Sequence, residues 1–147
     1  VRFVYAKKDT PHWQKFMNLL VEFNQKWCAE ASALVIIISR KKSYHKDMPQ
    51  VSHAFEAGAC FQNFALEASS KGYVAHCMTG FDIEAAHTML GLHEDWQVNT
   101  MVAVGKYDSQ KSKEMKEEIS DRKPLSELVF EGELPLGIIS PQEEIHT

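Results

Sequence analysis

The chain has 147 residues, 44% of them hydrophobic, which predicts one folded domain with its own core. Sixteen basic side chains against 20 acidic ones leave a net charge of −4, and the basic residues form no stripe, which argues against a nucleic-acid partner. No apolar run approaches the ~18 residues needed to span a bilayer. The three cysteines have neither disulfide nor metal-ligand spacing, so we expect a cytoplasmic protein without a membrane partner.

The first elements predicted are a strand and an amphipathic helix. Residues 1–6, VRFVYA, alternate as a strand, and no methionine opens them, so we expect a segment to be missing upstream. Thr10 and Pro11 supply a cap and a first-turn proline, and apolar residues at three- and four-residue steps predict one helix from about 11 to 31. Its aromatic residues have the spacing of a buried face and are interpreted as core: Trp13, Phe16 and Trp27.

A buried strand and an unusually apolar helix come next. Residues 33–39 are a continuous β-branched run, typical of a strand buried on both faces, with helices above and below the sheet. A polar, basic loop closed by Pro49 follows. The helix predicted for 51–71 is apolar almost all round, so it needs cover on nearly every side, from a second subunit or from the missing segment.

The remaining elements are short. Gly72 ends the apolar helix, 73–77 is predicted as a strand, and Asp82 is placed to cap a helix over 83–90. Another strand is expected at 98–104, and a charged helix or loop at 111–119. Strands alternating with helices indicate an α/β pattern, yet there is no glycine fingerprint of a dinucleotide fold and no phosphate-cradling loop.

Side chains that could carry catalysis are scarce. The seven histidines show no paired metal spacing, and only His76, on a short strand before the turn MTGFD, is retained as a candidate. No serine lies in a nucleophile elbow, and no cysteine–histidine arrangement follows from spacing. We assign no metal ligand and no catalytic side chain.

Three segments, in this order and at these distances, resemble the nitroreductase family of FMN enzymes: GYVAHCMTGFD at 72–82, MVAVGKYD at 101–108 and DRKPLSELVFEGEL at 121–134. RFVYA at 2–6 is similar to the family's first strand, and HAFEAGACFQNFALEASSKGY is similar to its central helix. The likeness runs from Arg2 to about Leu134. It implies a nitroreductase-like domain over 1–134, lacking its amino-terminal helices, and an irregular tail over 135–147.

The resemblance also implies a fold class, a cofactor and a reaction. The fold would be α+β, an α/β-like three-layer sandwich with a mixed sheet flanked by helices, and the protein a homodimer with FMN at the interface. NAD(P)H would reduce the flavin, which would then reduce a nitroaromatic, a quinone or a similar acceptor in a ping-pong exchange. Because the flavin supplies that chemistry, the protein needs to bind and orient it.

Four cofactor-binding residues follow from the resemblance. Met78, Thr79 and Gly80 match the family's segment whose backbone lies against the isoalloxazine and can donate to its N5; the alternative is a plain strand-to-helix turn. Arg122 matches a basic residue that pairs with the flavin phosphate; the alternative is a solvated charge beside Lys123.

Two functions stay open on the sequence. The first is an FMN-dependent NAD(P)H:acceptor oxidoreductase. The second is a non-catalytic flavin-binding or interaction module, or an inactive truncated fragment, because the family's upstream phosphate-binding motif has no counterpart in the chain.

Overall fold

The computed structural model describes residues 1–110 and 120–135. The chain forms two compact units, Val1–Asp108 and Ser109–Thr147. The element predicted at 111–119 lies outside the described residues. So does nearly all of the predicted tail, and the domain boundary at 134 stays a prediction.

The first unit is built on a four-stranded sheet in the order β1-β2-β4-β3, in which every pairing is antiparallel. The strands are β1 (Arg2–Lys7), β2 (Ala33–Arg40), β3 (Tyr73–Met78) and β4 (Trp96–Lys106). The six middle residues of β2 are buried, which confirms the strand predicted to be covered on both faces. β1 and β3 are the edges of the sheet.

Four helices connect the strands: α1 (Trp13–Met17), α2 (Glu22–Cys28), α3 (His53–Ser70) and α4 (Ile83–Met89). The predicted apolar helix and the predicted cap are both confirmed. The Asp82 carboxylate accepts a hydrogen bond from the backbone N–H of Ala85 at 2.8 Å, at the start of α4. No helix in the described ranges is long and apolar enough to cross a membrane.

The prediction of one continuous helix over 11–31 is wrong, because the chain leaves the helical path at residues 18–21. Val21 is extended (φ −62°, ψ 151°), and its N–H donates to the Gly80 carbonyl at 3.0 Å. Leu20 forms an isolated β-bridge with Phe81, and the Asp82 N–H donates to the Leu19 carbonyl at 2.8 Å. The apolar periodicity continues through the break because α1 and α2 both face the same core, so the pattern hides the interruption.

The two faces of the sheet are covered unequally. One face lies under α1, α2 and α4, and the large core cluster there includes Phe16, Cys28, Leu34, Ile36 and Met101. The other face is covered by α3, with only four buried residues in its cluster: Val35, Ile37, Ala57 and Val102. Helices therefore lie on both faces, which confirms the α+β class.

The side of α3 that is turned away from the sheet is exposed and largely apolar. We call it the outer face of α3: Phe55, Gly58, Ala59 and Leu66. Phe55 is 80% exposed and Leu66 60%. Few folded domains leave such a row of apolar side chains open unless something covers it.

The second unit is described over residues 120–135. It contains one turn of 3-10 helix, Leu125–Glu127, whose carbonyl at Leu125 accepts from the N–H groups of Leu128 and Val129 at 3.0 and 2.9 Å. Its described side chains are almost all exposed.

Candidate functional site

The predicted flavin-binding turn, Met78–Thr79–Gly80, lies where the edge strand β3 ends. Met78 is buried in the larger core cluster, Thr79 is exposed and Gly80 is half-buried. The structure thus places these three residues together at the rim of the sheet, between the end of β3 and the start of α4.

The carbonyl groups of this turn are all engaged. The Thr100 hydroxyl donates to the Met78 carbonyl at 2.9 Å, and the Phe81 N–H to the Thr79 carbonyl at 2.8 Å. The Gly80 carbonyl accepts twice, from the Val21 N–H and from Asn24 Nδ2, each at 3.0 Å. Every carbonyl in the turn is therefore anchored to the protein.

The N–H groups of the same turn are not engaged in this way. Neither the Thr79 N–H nor the Gly80 N–H donates a hydrogen bond to any residue that the structure describes. Backbone donors without a protein partner bond instead to water or to a ligand. Two adjacent donors on a turn with fixed carbonyls fit a planar ring that carries nitrogen and oxygen acceptors, as a flavin does.

Glycine at position 80 has a reason within the chain itself. A Cβ built there would collide with the side-chain amide nitrogen of Asn24 and lie 3.2 Å from Cγ2 of Val21. Gly80 does not have a positive φ; the described glycines that do are Gly72, Gly91 and Gly132. Close packing against Asn24 and Val21 therefore favours glycine, and a Gly80→Val substitution cannot separate that packing from a flavin contact.

Sequence reasoning missed the α2 side of this arrangement. Asn24 is 9% exposed, and its two amide atoms face different partners: Nδ2 donates to the Gly80 carbonyl, and Oδ1 accepts from Trp27 Nε1 at 3.1 Å. The Trp27 ring meets His76 edge-on, with centroids 5.0 Å apart. The only sequence signal for this contact was a polar residue, Asn24, on the core-facing side of an amphipathic helix. That signal does not identify Gly80, 56 residues away, as the partner.

Arg122, the predicted phosphate ligand, belongs to the second unit. Its side chain is exposed, and Nη1 donates to the Ser120 carbonyl at 2.9 Å and to the Ser120 hydroxyl. An exposed guanidinium has donors to spare for an anion, since it carries five N–H groups. Its pairing with a flavin phosphate stays a prediction.

A second polar cluster, also missed from sequence, lies where α3 begins. The buried Ser39 hydroxyl is 2.8 Å from His53 Nδ1 and accepts from Asn99 Nδ2 at 2.8 Å. Asn99 is the extra residue of a bulge in β4, since Ile37 pairs with Thr100 and Ile38 with Val98. These contacts tie the start of α3 to both central strands.

A cavity of about 210 Å³ opens beside this cluster. The charged residues near it are largely neutralised by one another: Lys42 Nζ lies 2.9 Å from Asp95 and 3.7 Å from Asp47. The hydrogen bond to Lys42 lowers the pKa of Asp95, and the same contact raises the pKa of Lys42. The arrangement is that of a satisfied structural network.

The three cysteines are all unpaired. Cys28 is fully buried in the larger core cluster, and desolvation raises the pKa of its thiol to about 12. A thiol so far from ionisation at neutral pH is not a nucleophile. Within the described residues, no group of three or more histidine, cysteine or acidic side chains is arranged to hold a metal ion.

Comparison with known proteins links this geometry to one family. The model of the Nitroreductase family matches residues 4–106, which include all four strands except the first two residues of β1. The curated proteins give no match.

Solved structures agree with the family match. An FMN-containing oxidoreductase shares 35% sequence identity, with a TM-score of 0.83 over 91% of this chain and 71% of that one. Two more distant structures share the fold. A candidate nitroreductase in complex with FMN from Desulfovibrio desulfuricans is 21% identical, with a TM-score of 0.66 over 91% of this chain and 73% of that one. A candidate NAD(P)H:FMN oxidoreductase from Staphylococcus epidermidis is 15% identical, with a TM-score of 0.70 over 88% and 74%. The chain therefore belongs to the nitroreductase family.

Proposed function

We propose that this protein is an FMN-dependent oxidoreductase that transfers hydride from NAD(P)H to a nitroaromatic, a quinone or a similar acceptor. The observation that carries the proposal is the turn after β3, where two neighbouring N–H groups have no partner among the described residues while every carbonyl is anchored. Support comes from the family match and from the FMN of the 35% identical relative.

The chain's own residues bind and orient the cofactor in this proposal. The backbone of Met78, Thr79 and Gly80 would lie along the isoalloxazine ring, and the two N–H groups would donate to its acceptors. Arg122 would pair with the phosphate, a task suited to a guanidinium. FMN, when bound, supplies the hydride-accepting and hydride-donating chemistry. No described side chain needs to act as a general acid or base.

The electron donor and the assembly belong to the same proposal. NAD(P)H is proposed because the Staphylococcus epidermidis relative is described as an NAD(P)H:FMN oxidoreductase. A homodimer is proposed because the outer face of α3 leaves Phe55 and Leu66 open to solvent. A cytoplasmic location is supported by three unpaired cysteines.

The direct test is purification of the complete protein, followed by a visible spectrum and an assay of NAD(P)H oxidation with a nitroaromatic and a quinone. We expect a yellow protein with about one FMN per subunit and acceptor-dependent turnover. Bound FMN without NAD(P)H oxidation would favour the alternative, a non-catalytic flavin-binding module. Failure to bind added FMN would overturn both readings.

The phosphate assignment has its own test. Arg122→Ala removes one charge-assisted contact, worth about 1.5 to 3 kcal/mol, so we expect the Kd for FMN to rise at least tenfold. Lys123→Ala is the matched control, since it removes the neighbouring exposed cation. An equal rise in the Kd for FMN in the two variants would mean that Arg122 contributes only to the overall electrostatic attraction of the anionic cofactor.

A further inference from the structure

We infer that Asn24 is a positioning residue for the flavin, acting through the Gly80 carbonyl. This role rests on the proposed function and extends the flavin site to α2, which contributes no direct cofactor contact in that proposal. Its basis is the hydrogen-bonded row Trp27–Asn24–Gly80, which joins α2 to the turn after β3.

The orientation of the Asn24 amide is set by its two partners. Trp27 Nε1 can only donate, and it lies 3.1 Å from Oδ1, while the Gly80 carbonyl can only accept, and it lies 3.0 Å from Nδ2. Rotating the amide by half a turn would place two donors together on one side and two acceptors together on the other. The Trp27 ring is itself held edge-on by His76 on β3. Asn24 is therefore a fixed donor and not an adaptable surface amide.

Folding of the turn does not depend on this contact alone. The Val21 N–H also donates to the Gly80 carbonyl at 3.0 Å, and the Leu20–Phe81 bridge and the Asp82–Leu19 hydrogen bond hold the same segment. The hydrogen bond from Asn24 is the second one that the Gly80 carbonyl accepts, and it fixes the direction of this carbonyl more tightly than one bond would. It restricts the rotation of the peptide group that contains the Gly80 carbonyl, next to the Thr79 and Gly80 N–H groups that have no partner among the described residues.

The close packing around Gly80 also supports a positioning role for Asn24. A Cβ at this position would strike the Asn24 amide nitrogen, so the side chain of Asn24 and the backbone of Gly80 are in direct contact with no room between them. A reacting ring must be placed to within a few tenths of an ångström. This placement depends on residues that hold the ring-contacting groups in position without touching the ring themselves. Asn24 occupies that supporting position.

The experiment compares two variants of the complete protein, each of which loses one side-chain amide from α2. Asn24→Ala loses the donor to Gly80, and Gln25→Ala loses a donor to the Leu20 carbonyl at 2.8 Å. Both apoproteins are titrated with FMN, and three quantities are measured: the Kd, the visible absorption band of the bound flavin and the Thr79 and Gly80 amide resonances. Asn24→Ala is expected to raise the Kd about 3- to 10-fold. It should also shift the absorption band and reduce the change that FMN causes in the two resonances.

Gln25→Ala is expected to leave the absorption band and the two resonances as in the wild type, because the side-chain hydrogen bond it loses is to the Leu20 carbonyl and to no atom of Met78, Thr79 or Gly80. If Asn24→Ala does not fold, Trp27→Phe decides, since it keeps an aromatic ring but releases Asn24 Oδ1; it should change the same readouts in the same direction. FMN binding by the wild type with identical spectra in all variants would overturn the positioning role and leave the proposed function standing. No FMN binding by the wild type would overturn both.

Discussion

The two faces of the sheet differ in how completely the chain covers them. One face is buried under α1, α2 and α4 and contains most of the core, including the fully buried Leu34, Ile36 and Met101. The other has α3 alone, a cluster of four buried residues, and apolar side chains left open on the outer face of α3. The first face is covered by the chain's own helices, whereas on the second Phe55 and Leu66 stay exposed among the described residues. The proposed second subunit would cover them.

The largest effect is expected on the well-covered face. Ile36→Ala removes three heavy atoms from a side chain with no exposed surface, and should lower the free energy of unfolding by about 2 to 5 kcal/mol. Urea denaturation at two protein concentrations measures it. Phe23→Ala, at an exposed position on α2, is the control and should cost less than about 0.5 kcal/mol. A loss below about 1 kcal/mol for Ile36→Ala would contradict the assignment of this face as the core.

The next effect concerns the poorly covered face. Phe55→Asp should bury an unpaired carboxylate at the proposed dimer interface, weakening association by about 3 kcal/mol and raising the dimer Kd more than a hundredfold. The matched control is Phe23→Asp, because Phe23 is 75% exposed and Phe55 80%, on helices that cover opposite faces. Light scattering over a dilution series measures both. A monomeric wild type, or equal dissociation of both variants, would show that α3 is not the interface.

A smaller effect is expected at the cap of α4, which covers the first face. Asp82→Ala leaves the Ala85 N–H without its side-chain partner and should destabilise the fold by about 1 kcal/mol. Asp82→Asn, which can still accept this hydrogen bond, should restore most of the loss. Thermal melts compare the three proteins. Equal melting temperatures for Asp82→Ala and the wild type would show that the Asp82 cap does not stabilise α4.

The last effect, confined to alkaline pH, is a pH dependence that originates in the same core. Burial raises the pKa of Cys28 to about 12, against 9.0 for the exposed thiol, so above about pH 9 the unfolded chain releases a proton that the folded chain keeps. The free energy of unfolding should therefore fall as pH rises from about 9 towards 12. Cys28→Ala should show a shallower decline over this range in urea titrations. Parallel declines for the two proteins would mean that the thiol is not the titrating group.

Much of the secondary structure was predictable because it follows from local chemistry. The buried β-branched run of β2, the apolar α3 and the Asp82 cap each depend on residues close together in sequence. The order of elements did not reveal that β2 and β4 run antiparallel, since alternating strands and helices suit either direction. The length of β4 was underestimated because its end residues, Trp96–Gln97 and Gly105–Lys106, do not continue the apolar run and are held by pairing with β2 and β3.

The amino-acid sequence by itself determined most of the strands and helices and the apolar character of α3, and its resemblance to a known family predicted Met78–Thr79–Gly80 as a flavin-binding turn. Only the tertiary structure decided that α1 and α2 are separate helices, that Gly80 is a glycine because Asn24 lies against it, and that Ser39, His53 and Asn99 meet at a bulge. The physical reason is the distance along the chain over which each interaction acts. Propensity, periodicity and capping act over a few residues, whereas the hydrogen bond from Asn24 to Gly80 joins positions 56 apart and exists only once the sheet has brought them together.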